Sequence, residues 1–143
     1  MPTARRRRTF AAPPEKVWDV VGDPVHQARW WPKVTRVEGV RDGTFTRVYS
    51  TSKGKAIRAD FHVTAIAPGR SRTWTQQLAG TPFERFMTAA AEVAVVEPAD
   101  AGCTVTLETR QKLRGLSRFG GFLVKRATKR QLDEALDTLE GLL

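Results

Sequence analysis

Two short stretches of this chain set polar groups among aromatic ones at a spacing of two. In residues 44–51, Arg47 shares a side with Phe45 and Tyr49; in residues 71–78, Arg72 and Gln76 share a side with Trp74 and Leu78. Alternate residues of an extended strand point the same way. Facing inward, these sides would place guanidinium, phenol and amide groups among aromatic walls. Such groups can hold a carbonyl or carboxylate and stabilise an enolate while a ring closes or water leaves. The ordinary reading of the same arginines puts them at strand ends with their heads in water, because arginine is seldom buried.

Other reactive residue types are sparse. Cys103 is the one cysteine, so no disulfide can form within the chain and no thiolate zinc site can be built. On an apolar strand side it reads as a small inert hydrophobe. His26 and His62 complete a thin set of metal ligands, and both read as solvent-side or structural residues. A P-loop, an HExxH pair, a nucleophile elbow and a Cys-x-x-Cys are absent from the sequence. Gly115 with Gly120-Gly121 lacks the spacing of a dinucleotide fingerprint. No catalytic motif is recognisable, and no metal or cofactor is expected.

The elements that must position these residues follow from pattern. Residues 5–12 read as a strand leading into Pro13-Pro14-Glu15, where Pro14 suits a first helical position and Glu15 the positive end of the helix dipole. Val17, Trp18, Val20 and Val21 give one short amphipathic helix ended by Gly22. Asp23-Pro24 starts a second, which runs to about Trp30 and stops at Pro32. Trp30 and Trp31 close that helix, as core packing or as a wall at a cavity mouth.

Beyond Pro32 the period becomes two. Turn clusters recur at Asp42-Gly43, Lys53-Gly54, Pro68-Gly69, Gly80-Thr81-Pro82 and residues 98–102. In residues 55–67, Ile57, Ala59, Phe61, Val63 and Ala65 alternate with polar residues. In residues 103–113, Cys103, Val105 and Leu107 do the same. That pattern predicts antiparallel strands with one wet face. Residues 84–97 contain an alanine run with helical propensity, but Pro82 and Pro98 bound it and strands flank it, so a strand is expected.

Leu132, Leu136, Leu139 and Leu143 mark a long C-terminal helix. Its first half carries a second stripe, Leu116, Phe119, Leu123 and Ala127. At about 100° per residue, Leu123 and Leu132 lie roughly half a turn apart. Either the helix begins near Gly120-Gly121 with its early face turned elsewhere, or it bends. A twisted antiparallel sheet covered by one helix leaves space between them. Small alanines at 59 and 65 and within the run 89–94 enlarge it, and such space is where a ligand lies.

The run Phe10-Ala11-Ala12-Pro13-Pro14-Glu15-Lys16-Val17-Trp18-Asp19-Val20-Val21, followed by Asp23-Pro24 and Trp30-Trp31-Pro32, resembles the opening of the polyketide cyclase/dehydrase and lipid-transport group of the START-like, helix-grip superfamily. The resemblance spans essentially the whole chain. It implies an α+β helix-grip fold: a seven-stranded, curved antiparallel sheet wrapped around a long C-terminal helix, with two short helices after the first strand and a hydrophobic cavity between. It implies a small hydrophobic ligand, such as a lipid, a polyketide or another aromatic, held by a carrier or sensor. The alternative is an enzyme of the polyketide cyclase/dehydratase type. The residues expected to meet the ligand are Trp30, Trp31, Arg47, Tyr49, Phe61, Arg72, Trp74, Gln76 and Phe86.

Composition bounds the remaining classes. At 143 residues the chain reads as a single domain, with residues 1–4 expected to lack order. No apolar run approaches the ~18 residues of a membrane helix. Arg7-Arg8-Thr9-Phe10 resembles a twin-arginine signal, but Glu15 and Lys16 interrupt the stretch that should be apolar, so a cytoplasmic location is expected. The net charge of +9 favours acidic partners. Arg5–Arg8 could grip phosphate; on an edge strand two of them would face outward. Lys125, Arg126, Lys129 and Arg130 form a second basic group, part of it balanced by Lys129–Asp133 and Arg130–Glu134 spacings. Binding of an anionic surface or nucleic acid is the weaker alternative, since no nucleic-acid motif accompanies the charge. A monomer or homodimer is expected.

Overall fold

A computed structural model describes residues 3–115 and 120–143. The chain forms β1 (Thr3–Phe10), α1 (Pro14–Val21), a short 3-10 turn continuing into α2 (Gln27–Trp30), then β2 (Val34–Arg41), β3 (Thr44–Ser50), β4 (Ala56–Ala67), β5 (Ser71–Gln76), β6 (Met87–Ala99), β7 (Gly102–Leu113) and α3 (Gly121–Leu142). All seven strands join one antiparallel sheet in the order β1-β7-β6-β5-β4-β3-β2. This is the helix-grip arrangement. β1 starts at Thr3 with Ala4 buried, so ordered structure begins inside the stretch 1–4 that was expected to lack it.

Local rules explain the boundaries. Pro14 occupies the first turn of α1, and the Gly22 amide closes it by donating to the Trp18 carbonyl at 2.8 Å. Asp23 caps the following turn by accepting from the Val25 amide at 3.0 Å. The alanine run lies in β6, paired along its length with β7. Tertiary pairing overrides helical propensity here, because the ladder supplies the run with backbone partners.

The core has two parts. The larger joins Phe10, Val17, Val21, Trp30 and Trp31 to Val96, Val105 and Leu107, and to Leu132, Ala135, Leu136 and Leu139 of α3. The smaller is Phe45, Ala59, Phe61 and Trp74 on β3, β4 and β5, with Phe45 stacked on Phe61 and edge-on to Trp74. The helix question is settled by its first alternative. α3 begins at Gly121, its later leucines are buried, and Leu123 is 66 % exposed. Leu116 and Phe119 lie outside the described residues.

The first strand and last helix are tied by charge. Arg6 and Arg8 face α3 and pair with Asp133 at 3.3 Å and Asp137 at 2.5 Å. Arg5 takes the other face and pairs with Glu108 at 2.6 Å. Asp133, expected to balance Lys129 within the helix, instead meets Arg6 of β1.

Candidate functional site

The inner side of β3 carries Phe45, Arg47 and Tyr49, and that of β5 carries Arg72, Trp74 and Gln76, as the period of two requires. Arg47 is 0 % exposed and Arg72 1 %. The solvent-facing reading of these arginines is therefore overturned: both guanidiniums lie inside the sheet. What makes this tolerable is Glu92 of β6. It occupies the inner side of its strand among Ala90, Ala94 and Val96.

Arg47 has a nearly complete set of partners. Its Nη1 and Nη2 donate to the two Glu92 carboxylate oxygens at 2.7 and 2.8 Å. Its Nε donates to Gln27 Oε1 at 2.6 Å, and Gln27 in turn donates to the Pro24 carbonyl. Nη1 also donates to the Tyr49 hydroxyl oxygen at 2.7 Å. The guanidinium lies 4.5 Å from the Phe61 ring centre and 5.0 Å from that of Trp31, so it bridges the two core clusters. Burial works against its charge, but Glu92 outweighs that and holds Arg47 above the ordinary arginine range.

Arg72 is less well served. Its Nε donates to the Val21 carbonyl at 3.2 Å and its Nη1 to the Glu92 backbone carbonyl at 3.4 Å; its Nη2 is buried without a partner. The guanidinium lies 3.4 Å from the Trp74 ring centre. Burial pushes it down to about 9, which leaves it cationic at neutral pH. Two buried cations thus depend on the field of one carboxylate, that of Glu92, whose two oxygens are forked to Arg47.

Above this network lies a cavity of about 740 Å³. Lys33, the end of β3 (Tyr49, Ser50) and the following Thr51 and Ser52 form one wall, with Ile57 and Gln76. Phe83, Met87 and Glu92 form another; Thr109 and Gln111 of β7, with Gln131 of α3, close it. Two groups in this lining are buried and unpartnered: Gln76 Nε2, a donor, and Thr109 Oγ1. Tyr49 is held with its oxygen accepting from Arg47, which leaves its own hydrogen to donate. Burial is the main reason its phenol is pushed up, so it remains protonated at neutral pH. The arrangement can present a neutral phenol O–H to a carbonyl, with a cation fixed behind it.

The expected residues divide accordingly. Tyr49 and Gln76 line the cavity. Arg47 supports Tyr49 from behind. Trp30, Trp31, Phe61 and Trp74 are buried core, and Arg72 lies against Trp74. Phe86 is 55 % exposed. Sequence reasoning missed Glu92, Gln27, Thr109 and Gln131. Glu92 carried a signal, a carboxylate on the side of β6 shared by Ala90, Ala94 and Val96, and so did Thr109, on the side of β7 shared by Cys103, Val105 and Leu107. Cys103 is buried, and burial pushes its thiol up, away from reactivity. Among the described residues, no three His, Cys, Asp or Glu side chains gather as metal ligands would. Among them, too, no helix is long and apolar enough to cross a membrane.

Comparison with known proteins agrees with this architecture. The di-domain ARO/CYC BexL shares 20 % identity at a TM-score of 0.79, over 99 % of this chain and 46 % of that one. The di-domain ARO/CYC StfQ from the steffimycin biosynthetic pathway shares 13 % identity at 0.77, over 98 % and 49 %. A protein from Thermus thermophilus shares 22 % identity at 0.74, over 98 % and 95 %. No curated protein matches the sequence. The family described as polyketide cyclase / dehydrase and lipid transport matches residues 1–143. Sheet order, gripping helix and whole-length match together place this chain in the polyketide cyclase/dehydrase and lipid-transport family.

Proposed function

We propose that this protein binds a small, flat, oxygen-bearing hydrophobic molecule in the cavity between sheet and helix, as a carrier or sensor. The observation that carries this reading is the mixed lining. Ile57, Phe83 and Met87 offer apolar surface, while Gln76 Nε2 and Thr109 Oγ1 are buried without partners. A buried polar group without a hydrogen bond is costly, and a turn of the Gln76 or Thr109 side chain toward the cavity would let a ligand oxygen relieve each of them. A saturated acyl chain would leave both unmet, so oxygenated aromatics are the favoured class. The volume suits such a molecule.

The test is native mass spectrometry with tryptophan fluorescence, using hydroxylated anthraquinones and saturated fatty acids as probes. One-to-one binding of the quinones, lost in Met87→Trp, is expected. Failure to bind, or equal binding when the cavity is filled, would reject the reading.

A second reading, a cyclase or dehydratase, is favoured by one detail. Tyr49 presents a protonated phenol beside the Glu92 carboxylate, and both line the cavity. There the phenol would donate to a substrate carbonyl as it enolises. Poly-β-keto thioester mimics followed by liquid chromatography and mass spectrometry test it. Turnover abolished in Tyr49→Phe, with binding retained, supports catalysis; binding without turnover in the parent protein leaves the carrier.

A further inference from the structure

The end of the fold where α3 begins carries side chains that the cavity does not use. Phe122 and Leu123, in the first turn of α3, are 76 % and 66 % exposed. Phe86, just before β6, is exposed as well. These residues share one end of the molecule. A Cβ added at Gly121 would stand 4.0 Å from Leu113 Cδ1; Leu113 is the register partner of Met87; and the Arg114 amide donates to the Phe86 carbonyl at 2.8 Å. The apolar pair cannot be turned inward. Leu123 lies half a turn from Leu132, so burying it would expose the leucines that hold α3 to the sheet.

Cations surround this apolar tip. Arg85 and Arg114 flank Phe86 in the two paired segments, and Lys125 and Arg126 follow Leu123; all four are exposed. The one carboxylate in these stretches, Glu84, accepts from the Gly80 amide at 3.0 Å. The first turn of α3 holds no acidic residue. Exposed aromatic and aliphatic side chains ringed by Lys and Arg are what an interface between anionic headgroups and acyl chains accepts.

We propose that this end of the molecule docks on the surface of an anionic lipid bilayer. Phe122, Leu123 and Phe86 enter the headgroup–acyl boundary, while Arg85, Arg114, Lys125 and Arg126 meet the lipid charges. A second copy of the chain fits the patch poorly, since a two-fold contact would set the same four cations against each other. A nucleic acid would use the cations but not the apolar tip. Docking is independent of any cavity ligand, although Met87, which lines the cavity, adjoins Phe86.

The experiment is cosedimentation of the full chain with large vesicles, of phosphatidylcholine alone or mixed with phosphatidylglycerol. Binding to the mixed vesicles only, weakened by salt, is expected. Phe122→Ser/Leu123→Ser and Lys125→Glu/Arg126→Glu change exposed residues and should leave the melting temperature unmoved. The charge variant should lower the partition coefficient on the order of tenfold or more, given about fivefold per cation, and the serine variant by at least as much through lost apolar burial. Absence of binding to anionic vesicles, or variants that partition like the parent, would overturn the proposal. So would self-association relieved by the Phe122/Leu123 variant without vesicle binding, or nucleic-acid binding that this variant leaves intact.

Discussion

Arg47 and Glu92 meet through two parallel hydrogen bonds of 2.7 and 2.8 Å, from strands that are not neighbours in the sheet. The pair spans the inside of the curve from β3 to β6, over the strands between. Its guanidinium is fully buried and its carboxylate nearly so. The pair therefore fixes the curvature beneath the cavity and sets the orientation of Tyr49.

Removing one partner of this pair strands the other. Glu92→Ala should destabilise the protein by about 3–5 kcal/mol, as expected for an uncompensated buried charge. Arg47→Met/Glu92→Leu should recover most of that loss, because apolar replacement of both partners is often close to neutral. Urea denaturation of both variants checks it, and a double variant as unstable as the single would rule the argument out.

Arg72 should behave differently from Arg47. It has no carboxylate fork of its own, and Nη2 lacks an acceptor. Arg72→Met removes an excess buried cation and keeps apolar contact with Trp74, so its effect should stay within about 1.5 kcal/mol. Arg47→Met leaves Glu92 alone and should lose about 3 kcal/mol or more. Equal losses in the two variants would contradict this asymmetry.

Tyr49 is the only tyrosine in the sequence, so phenolate absorbance reports it alone. Burial raises its pKa, and the nearby Arg47 only partly opposes this. The native protein should show less phenolate absorbance at about pH 10 than a free tyrosine, which is half ionised there. The unfolded chain then releases its proton before the native one does. Stability contributed by the neutral phenol is thus present below about pH 10 and lost as pH rises through the native pKa. Tyr49→Phe should abolish that alkaline slope. An ordinary tyrosine titration in the folded protein would refute the assignment.

Thr109 lines the cavity with a hydroxyl that has no partner in the protein. Thr109→Val keeps the shape and removes the group. The empty protein should gain about 1 kcal/mol, while binding of a hydroxylated quinone should weaken about fivefold. Parallel melts and fluorescence titrations separate the two effects; loss of stability with unchanged affinity would give the hydroxyl a structural role instead.

Gly102 opens β7 at φ +148°, where a Cβ would stand 2.4 Å from the Phe10 carbonyl oxygen and 2.6 Å from that of Ala12. Both obstacles are backbone and cannot swing aside. Gly102→Ala should cost about 3 kcal/mol through combined strain and overlap. A melt close to that of the parent protein would show that β1 can move away.

The sheet was legible because alternation and turns are local properties. Phe45, Arg47 and Tyr49 had to share a side whatever lay across from them. The direction of that side was not local. Arg47 is buried because Glu92, 45 residues later, and Gln27, 20 residues earlier, meet it there. No short window of sequence contains all three. Glu92 was hidden further by the alanines around it, whose helical propensity draws attention from their alternation. The two stripes of the last helix show the same limit: their angular offset was readable, but which one faced the sheet depended on contacts with β1 and α2.

The ties between β1, β7 and α3 also bear on how the fold is reached. Arg5 and Glu108 lie 103 residues apart, and Arg8 and Asp137 lie 129 apart. During synthesis β1 has no sheet partner until β7 has emerged, and its inner charges have none until the second half of α3 follows. Such distant closures slow folding and keep intermediates open. Until then, one margin of the growing sheet is bare. Four consecutive arginines on the waiting strand would keep nascent chains apart by mutual repulsion, so the charge that later clasps the helix would first act as a guard against aggregation.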